Sequence, residues 1–99
     1  MKNLKSSQRS YLKSQAHQLE PVIYIGKNGL TDGIIHSINT VLLAKELIKI
    51  KFREFKNDKQ KIAKKIATET CSIIVGIIGH TLILFKQNSN PEKQKYQLP

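Results

Sequence analysis

Between positions 48 and 53 the side chains alternate between apolar and cationic ones. The apolar positions are Ile48, Ile50 and Phe52, and the cationic positions are Lys49, Lys51 and Arg53. Successive side chains of a β-strand point to opposite sides of the sheet, so this period of two predicts a half-buried strand with a positively charged outer face. The apolar face of that strand needs a core, which other elements of the chain must supply.

Three stretches with a helical period surround this strand. The first predicts a helix that Pro21 ends, with an apolar stripe formed by Leu12, Ala16 and Leu19. The second predicts a helix that is capped by Thr31 or Asp32. The third begins at Asn57 or Asp58, and it turns inward the apolar residues Ile62, Ala63, Ile66 and Ala67. These helices provide the apolar faces that can cover the strand.

Three further runs of residues predict strands. Residues 22–25 are apolar at every position and lie between Pro21 and Gly26, which predicts a strand buried on both faces. Residues 72–78 and 81–86 predict two strands joined by a tight antiparallel turn at Gly79 and His80. With 99 residues the chain has room for one core. The order α-β-α-β-α-β-β therefore predicts a single α/β domain with a mixed four-stranded sheet.

We expect this domain to span residues 1–86 and to be followed by a polar C-terminal tail, residues 87–99, that frays. The basic residues at the N-terminus are not followed by an apolar run, which predicts that there is no secretory signal. The most apolar stretch, residues 73–85, is shorter than the roughly 18 residues that a membrane-spanning helix needs. We therefore expect a cytoplasmic protein without a membrane partner.

The charge of the chain points to a polyanionic partner. It carries 17 Lys and Arg residues against 7 Asp and Glu residues, a formal net charge of +10. Because nearly all of these cations are Lys, the composition favours contact with a phosphate backbone over bidentate recognition of bases. The simplest interpretation of the cations between positions 45 and 65 is a solvated face. However, three carboxylates offset nine cations there, which favours a binding surface.

The motif Gly26-Lys27-Asn28-Gly29 lies between a predicted strand and a predicted helix. The four residue types alone favour an ordinary turn. Their position before a capped helix in a strongly basic chain favours an anion site instead, in which glycines let the backbone approach a phosphate and Lys27 supplies the charge. A second GxxG motif, residues 76–79, has apolar central residues and is interpreted as a packing and turning element.

The sequence contains no arrangement of residues that supports catalysis, a metal site or a cofactor. The carboxylates are dispersed, Cys71 is the one cysteine, and the three histidines show no ligand spacing. His80 follows Gly79 in the predicted turn, and it is either an ordinary turn histidine or a contact to phosphate. We therefore expect a protein that is not an enzyme.

Several spaced motifs resemble the CRM domain, the YhbY-like family of RNA-binding proteins. They lie in residues 8–12, 16–17, 25–31, 46–51 and 78–86, and the resemblance extends from Leu4 to Lys86. The resemblance implies a fold similar to the C-terminal domain of bacterial translation initiation factor three, with a KH-like GxxG loop at residues 26–29. A single short domain resembles the stand-alone bacterial form, which implies a bacterial cytoplasmic protein associated with precursors of the large ribosomal subunit.

The chain departs from the family pattern at three places, one of which is Glu20, where a cation is common. His80 stands where the family commonly has Arg or Lys, and Phe85-Lys86 replaces the usual Tyr-Arg. If these positions contact RNA, the contact is weakened or pH-dependent.

We therefore predict a non-catalytic RNA-binding protein whose partner is rRNA in precursors of the large ribosomal subunit. The predicted RNA contacts are Gly26, Lys27, Asn28, Gly29, Lys49, Lys51, Arg53, Lys61, Lys64, Lys65, His80 and Lys86. One alternative is a membrane-surface protein, for which the apolar face of the third helix is slight. Another is a module for a phosphorylated small molecule, for which the rest of a P-loop is missing. The sequence leaves the oligomeric state open.

Overall fold

The computed structural model describes residues 3–99, so the first two residues of the predicted domain lie outside the described part of the chain. Within residues 3–99 the α-helices and β-strands follow the predicted order, which confirms α-β-α-β-α-β-β. The elements are α1 Ser6–Ala16, β1 Ile23–Ile25, α2 Asp32–Lys45, β2 Leu47–Phe52, α3 Lys59–Thr70, β3 Ile73–Ile78 and β4 Thr81–Phe85. Short 3-10 helices precede α3 at Lys56–Asp58 and follow β4 at Pro91–Lys93.

The strands form one four-stranded mixed sheet, as predicted, and their order in the sheet is β1-β2-β4-β3. β1 pairs with β2 in parallel, with Tyr24 opposite Lys51, and β4 is antiparallel to both β2 and β3. Lys51 is also opposite Thr81, and Ile78 is opposite Thr81. The carboxyl ends of β1 and β2 therefore lie at the same end of the sheet as the turn between β3 and β4.

Helices cover both faces of the sheet. α2 and α3 pack on one face, where their buried residues Ile38, Leu42, Ala63 and Ile66 meet Ile48, Ile50 and Phe52 of β2. α1 packs on the other face, where Leu12 and Ala16 meet Leu47, Val75, Ile83 and Phe85. Since Leu47 faces α1, the alternation along β2 also places Lys49 and Lys51 on the α1 side of the sheet. The predicted cationic outer face is thus the α1 face.

Local hydrogen bonds explain where the helices begin and end. The hydroxyl of Thr31 accepts from the Ile34 N–H at 3.1 Å, which confirms Thr31 as the cap of α2. The prediction that Pro21 ends the first helix is wrong, because α1 ends at Ala16. The Leu19 N–H donates to the Ala16 carbonyl three residues earlier, so the chain turns out of the helix there, and Leu19 packs against the α1 cluster from outside the helix. Arg9 on α1 donates to the carbonyls of Ile74 and Val75, where a register shift interrupts the β3–β4 ladder. Arg9 therefore has a structural role in the contact between α1 and β3.

The prediction that β1 is buried on both faces is wrong. Ile23 and Ile25 are buried, but Val22 and Tyr24 are 38% and 40% exposed. β1 is the edge strand next to β2, and α1 contacts β2 and β3 rather than β1. The face of Tyr24 therefore remains open to solvent.

The expectation that the C-terminal tail frays is also wrong. The Glu46 carboxylate is 1% exposed and accepts hydrogen bonds from the backbone N–H groups of Asn88, Lys95 and Tyr96 at 2.6, 2.7 and 3.3 Å. The ring of Tyr96 packs edge-on against Phe85, with ring centroids 6.3 Å apart. Burial, with nearby Tyr11 and Glu46, raises the pKa of the Tyr96 phenol above 10.0. The tail is therefore fastened to the domain.

The most apolar stretch of the sequence, residues 73–85, forms the hairpin of β3 and β4. Among residues 3–99 there is no helix whose length and apolar character would let it cross a membrane. The same residues hold no group of three or more potential metal ligands.

Candidate functional site

Three separate segments meet at the end of the sheet where β1 and β2 finish. They are residues 26–29, 53–59 and 79–80, and together we name them the loop end. The backbone N–H groups of Arg53 and Glu54 donate to the carbonyl of Ile25, and the Phe52 N–H donates to the carbonyl of His80. These bonds hold the three segments beside one another. Sites for ligands commonly occur beyond the carboxyl ends of parallel strands, and the loop end has that position.

The motif at residues 26–29 forms a closed turn. The Gly29 N–H donates to the Gly26 carbonyl at 3.0 Å, and Lys27 and Asn28 are exposed at its tip. Gly29 has a φ of +66°, and a Cβ at this position would lie 3.3 Å from the Phe55 ring. A Cβ on Gly26 would have no neighbour within 4 Å. The fold therefore requires glycine at position 29, whereas it leaves open space around position 26.

The N-terminus of α2 is a weaker anion site than the sequence suggested. Asp32 places a carboxylate in its first turn, and Thr31 already accepts the Ile34 N–H. A negative side chain at a helix N-terminus competes with a bound anion for the same partial positive charge. Electrostatic attraction at this loop therefore depends on Lys27 more than on the helix end.

Exposed rings flank the turn on two sides. Phe55 adopts the left-handed conformation, with a φ of 57°, and is 43% exposed beside Gly29. The Arg53 guanidinium carbon lies 4.1 Å from the centre of the Tyr24 ring, a cation–π contact. Two aromatic rings and a planar cation are thus available next to the loop.

His80 is held beside a lysine at the start of α3. The Lys59 ammonium donates to the carbonyl of Gly79, and it lies 3.3 Å from Nδ1 of His80. Partial desolvation, followed by the charges of Lys59, Lys56 and Lys51, lowers the pKa of His80 below 6.5. Because an ammonium group can only donate, Nδ1 of His80 accepts from Lys59 when the imidazole is neutral and this nitrogen carries no proton.

The fold brings some of the predicted contact residues together and separates others. The loop end holds Gly26, Lys27, Asn28, Gly29, Arg53 and His80. Lys61, Lys64 and Lys65 are exposed on the outer side of α3, which begins at the loop end. Lys49 and Lys51 lie on the α1 side of the sheet, and Lys86 follows β4 at the opposite end of the sheet, where its N–H donates to the Glu46 carbonyl.

Two cations of the loop end are absent from the predicted contacts. Lys56 and Lys59 belong to the segment that connects β2 to α3, and both influence His80. Their place in the sequence could have identified them. They follow β2, which is parallel to β1, so they lie at the same end of the sheet as residues 26–29. The loop end carries the cations Lys27, Arg53, Lys56 and Lys59 and the carboxylates Glu54 and Asp58.

Comparisons with known proteins bear on the fold and on the class of protein. The chain matches the CRS1 / YhbY (CRM) domain family over residues 4–86. It is 40% identical to an RNA-binding protein of Haemophilus influenzae, covering 100% of this chain and 98% of that protein. It is 34% identical to the probable RNA-binding protein YqeI of Bacillus subtilis, covering 97% and 99%. It is also similar to the solution structure of SAV1595 from Staphylococcus aureus, with a TM-score of 0.80, 30% identity and coverage of 98% and 100%.

Proposed function

The chain belongs to the CRS1 / YhbY (CRM) domain family, and from that premise we propose that it binds RNA through the loop end. The names of the relatives in Haemophilus influenzae and Bacillus subtilis support RNA as the partner. The observation that carries the proposal is the convergence of Lys27, Arg53, Lys56 and Lys59 from separate segments onto one end of the sheet, beside exposed Phe55. An exposed cationic surface of this kind suits a phosphate backbone.

Each part of the loop end has a distinct role in this proposal. Lys27 and Asn28 protrude at the tip of the turn and contact a phosphate directly. Because a side chain is missing at Gly26, the RNA backbone approaches the turn closely there. Lys61, Lys64 and Lys65 extend the positive surface along α3 and contribute affinity without reading sequence.

A more specific proposal concerns the identity of the RNA. The family resemblance supports rRNA in precursors of the large ribosomal subunit, bound by a non-catalytic cytoplasmic protein. Crosslinking in cells followed by sequencing of the bound RNA tests this point. Enrichment of precursor rRNA is expected, whereas enrichment of unrelated transcripts would leave RNA binding intact and overturn the choice of RNA.

The two alternatives are less well supported. The apolar side of α3 is packed against the sheet, with Ala63 and Ile66 fully buried, so it does not face a bilayer. A phosphorylated small molecule would need a concave pocket that surrounds it, whereas Lys27 and Asn28 lie exposed at the tip of a turn. An extended polymer fits such a protruding site better.

The decisive experiment reverses the charge at the tip of the turn. The double variant Lys27→Asp and Asn28→Asp keeps both glycines and the Thr31 cap, so the melting temperature should stay that of the parent. RNA affinity should fall at least about tenfold, because repulsion replaces a charge-assisted contact to phosphate. Filter binding and thermal melting measure the two effects.

A matched control separates the site from the total charge. Lys93→Asp with Gln97→Asp changes the net charge by the same amount on exposed residues of the C-terminal tail, away from the loop end. This control should lose less than about threefold in affinity. If both double variants lose affinity equally, or if the variant at the turn binds as the parent does, the loop end is not the RNA site.

A further inference from the structure

The α1 face of the sheet is only partly covered. α1 packs over Leu47, Val75 and Phe85, and beyond its C-terminal end an open groove of about 410 Å³ remains. The groove is lined by Lys13, His17, Lys49, Lys51, Ile78 and Thr81, together with the carboxylate of Glu20. Ile78 is 61% exposed there. The groove lies on the opposite side of the sheet from α3 and its lysines.

Two lysines of the groove are held in position by the fold. The Lys49 ammonium donates to the Leu19 carbonyl at 3.0 Å, which fixes its direction along the sheet. The stem of Lys13 crosses β3 at Gly76, where a Cβ would lie 2.9 Å from its Cε. The absence of a side chain at Gly76 therefore lets Lys13 lie close to the sheet at the groove.

Beside the groove lysines, the ring of Tyr24 on the edge strand β1 contacts the planar guanidinium of Arg53. Tyr24 is opposite Lys51 in the parallel pairing of β1 and β2, and it is 40% exposed. The guanidinium carbon of Arg53 lies 4.1 Å from the centre of the Tyr24 ring. Arg53 follows Lys51 by two positions and so lies on the same face. Aromatic rings and guanidinium planes are the groups on which unpaired RNA bases stack.

We propose that this open sheet face, formed by Lys13, Tyr24, Lys49, Lys51 and Arg53, binds an unpaired stretch of RNA. One base stacks on the Tyr24–Arg53 pair, and the adjoining phosphates lie along Lys51 and the groove lysines. The inference rests on the proposed RNA-binding function and adds to it the class of RNA, because a base inside a duplex has both of its faces covered. It also gives the protein a second RNA surface, which meets the loop end at Arg53.

The test compares two RNA probes and removes only the ring. The probes are an oligouridylate of about ten nucleotides and a hairpin with a fully paired stem of similar length. Tyr24→Val keeps strand propensity without a ring, and Tyr24→Phe is the matched control that retains it. Tyr24→Val should weaken oligouridylate binding roughly tenfold, whereas the hairpin affinity should change by less than about twofold. Tyr24→Phe should bind both probes as the parent does.

If Tyr24→Val weakens the edge strand β1, a second variant still tests the inference. Arg53→Lys retains the charge but removes the planar group, and it should also weaken oligouridylate selectively. Equal losses for both probes, or no loss in either variant, would overturn the inference. The proposed function is tested separately, since it predicts that the parent binds RNA and that Lys27→Asp with Asn28→Asp lowers the affinity at least about tenfold. RNA binding that depends on Lys27 and Asn28 but not on Tyr24 would support the proposed function and overturn the further inference.

Discussion

At the residue scale, the two glycines of the turn have different physical roles. Gly29 is required by its backbone conformation and by the Phe55 ring packed against it. Gly26 has no such constraint, and its surroundings are open. The sequence motif treats the two positions as equivalent, but a substitution can test them separately.

We predict that Gly26→Ala lowers RNA affinity without lowering stability, because the added methyl group meets nothing in the free protein and obstructs only a close ligand. Gly29→Ala should instead cost about 1–2 kcal/mol in the free energy of unfolding, since an L-residue is disfavoured at positive φ. Chemical denaturation and RNA titration of both variants measure the effects. Full RNA affinity in a stable Gly26→Ala variant would show that the backbone at position 26 does not approach RNA.

His80 is the histidine of the loop end, and histidine is the side chain whose ordinary pKa lies nearest to neutral pH. Partial desolvation and the charges of Lys59, Lys56 and Lys51 lower its pKa below 6.5, and a bound phosphate would favour its protonated form. The complex therefore holds more protons on His80 than the free protein does, so RNA affinity should rise as the pH falls through the pKa of His80 in the complex. Because the pKa of His80 is lowered in the folded protein, the unfolded chain binds more protons at this residue in acid. The free energy of unfolding therefore decreases as the pH falls through the ordinary pKa of histidine.

The predicted increase in RNA affinity between pH 7.5 and pH 5.5 is roughly two- to fivefold, as for an exposed ion pair. His80→Gln should remove the increase, whereas His36→Gln, at an exposed position of α2, should keep it. RNA titrations at several pH values, with thermal melting at each, make the measurement. If His80→Gln retains the pH dependence of the parent, His80 does not contact phosphate.

At the element scale, α3 has a buried apolar side and an exposed basic side. Ala63 and Ile66 are buried against the sheet, while Lys61, Lys64 and Lys65 are exposed on the outer side. Replacing these three lysines together by Gln should weaken binding to all RNAs by a similar factor. The slope of log affinity against log salt should become shallower by about 0.7 for each phosphate of single-stranded RNA that the variant no longer neutralises.

A charge-matched triple variant serves as the control for α3. Lys86→Gln, Lys93→Gln and Lys95→Gln remove the same charge from the region where β4 and α2 end and the tail is bound. The control should affect binding much less than the α3 variant. Equal effects would mean that net charge, rather than the α3 surface, sets the affinity. A strong effect of the control would place an RNA contact among Lys86, Lys93 and Lys95.

Glu46 joins the end of α2 to the C-terminal tail. Its carboxylate accepts hydrogen bonds from Asn88, Lys95 and Tyr96, and it is 1% exposed. Glu46→Ala leaves these N–H groups without their acceptor, so we predict a loss of about 3 kcal/mol in the free energy of unfolding. Amide exchange should become fast at the same three residues.

The exposed residue Glu54 provides the control for this variant. Glu54→Ala should change stability by less than about 0.5 kcal/mol. A Glu46→Ala variant that melts as the parent does, with protected amides in the tail, would show that the packing of Tyr96 against Phe85 holds the tail without the carboxylate.

At the scale of the whole molecule, we expect the net charge of +10 to govern association with RNA. We predict that the parent neutralises about four to six phosphates, which on single-stranded RNA corresponds to a log–log salt slope of about −3 to −4. Filter binding across a range of salt concentrations measures the slope. An affinity that does not change between low and moderate salt would contradict an electrostatic interface.

The sequence by itself determined the elements and the alternation of β2, because helical and strand periods depend on neighbouring residues. The alternation predicted that Ile48, Ile50 and Phe52 face a core, and Thr31 predicted the start of a helix near the glycine turn. The order of elements and the mixed character of the sheet followed from the same patterns. The cations at residues 26–29 and in the β2 segment were also visible, because charge is a property of composition.

Only the tertiary structure decided which cations share a surface. β4 inserts between β2 and β3, so the turn that holds His80 lies beside Lys59 and the end of β2, while Lys86 emerges at the other end of the sheet. The alternation of β2 directs Lys49 and Lys51 toward α1, away from the lysines of α3. The edge position of β1 exposes Tyr24, and the buried carboxylate of Glu46 holds a polar tail. These outcomes depend on pairing between residues distant in sequence, which local periodicity does not encode.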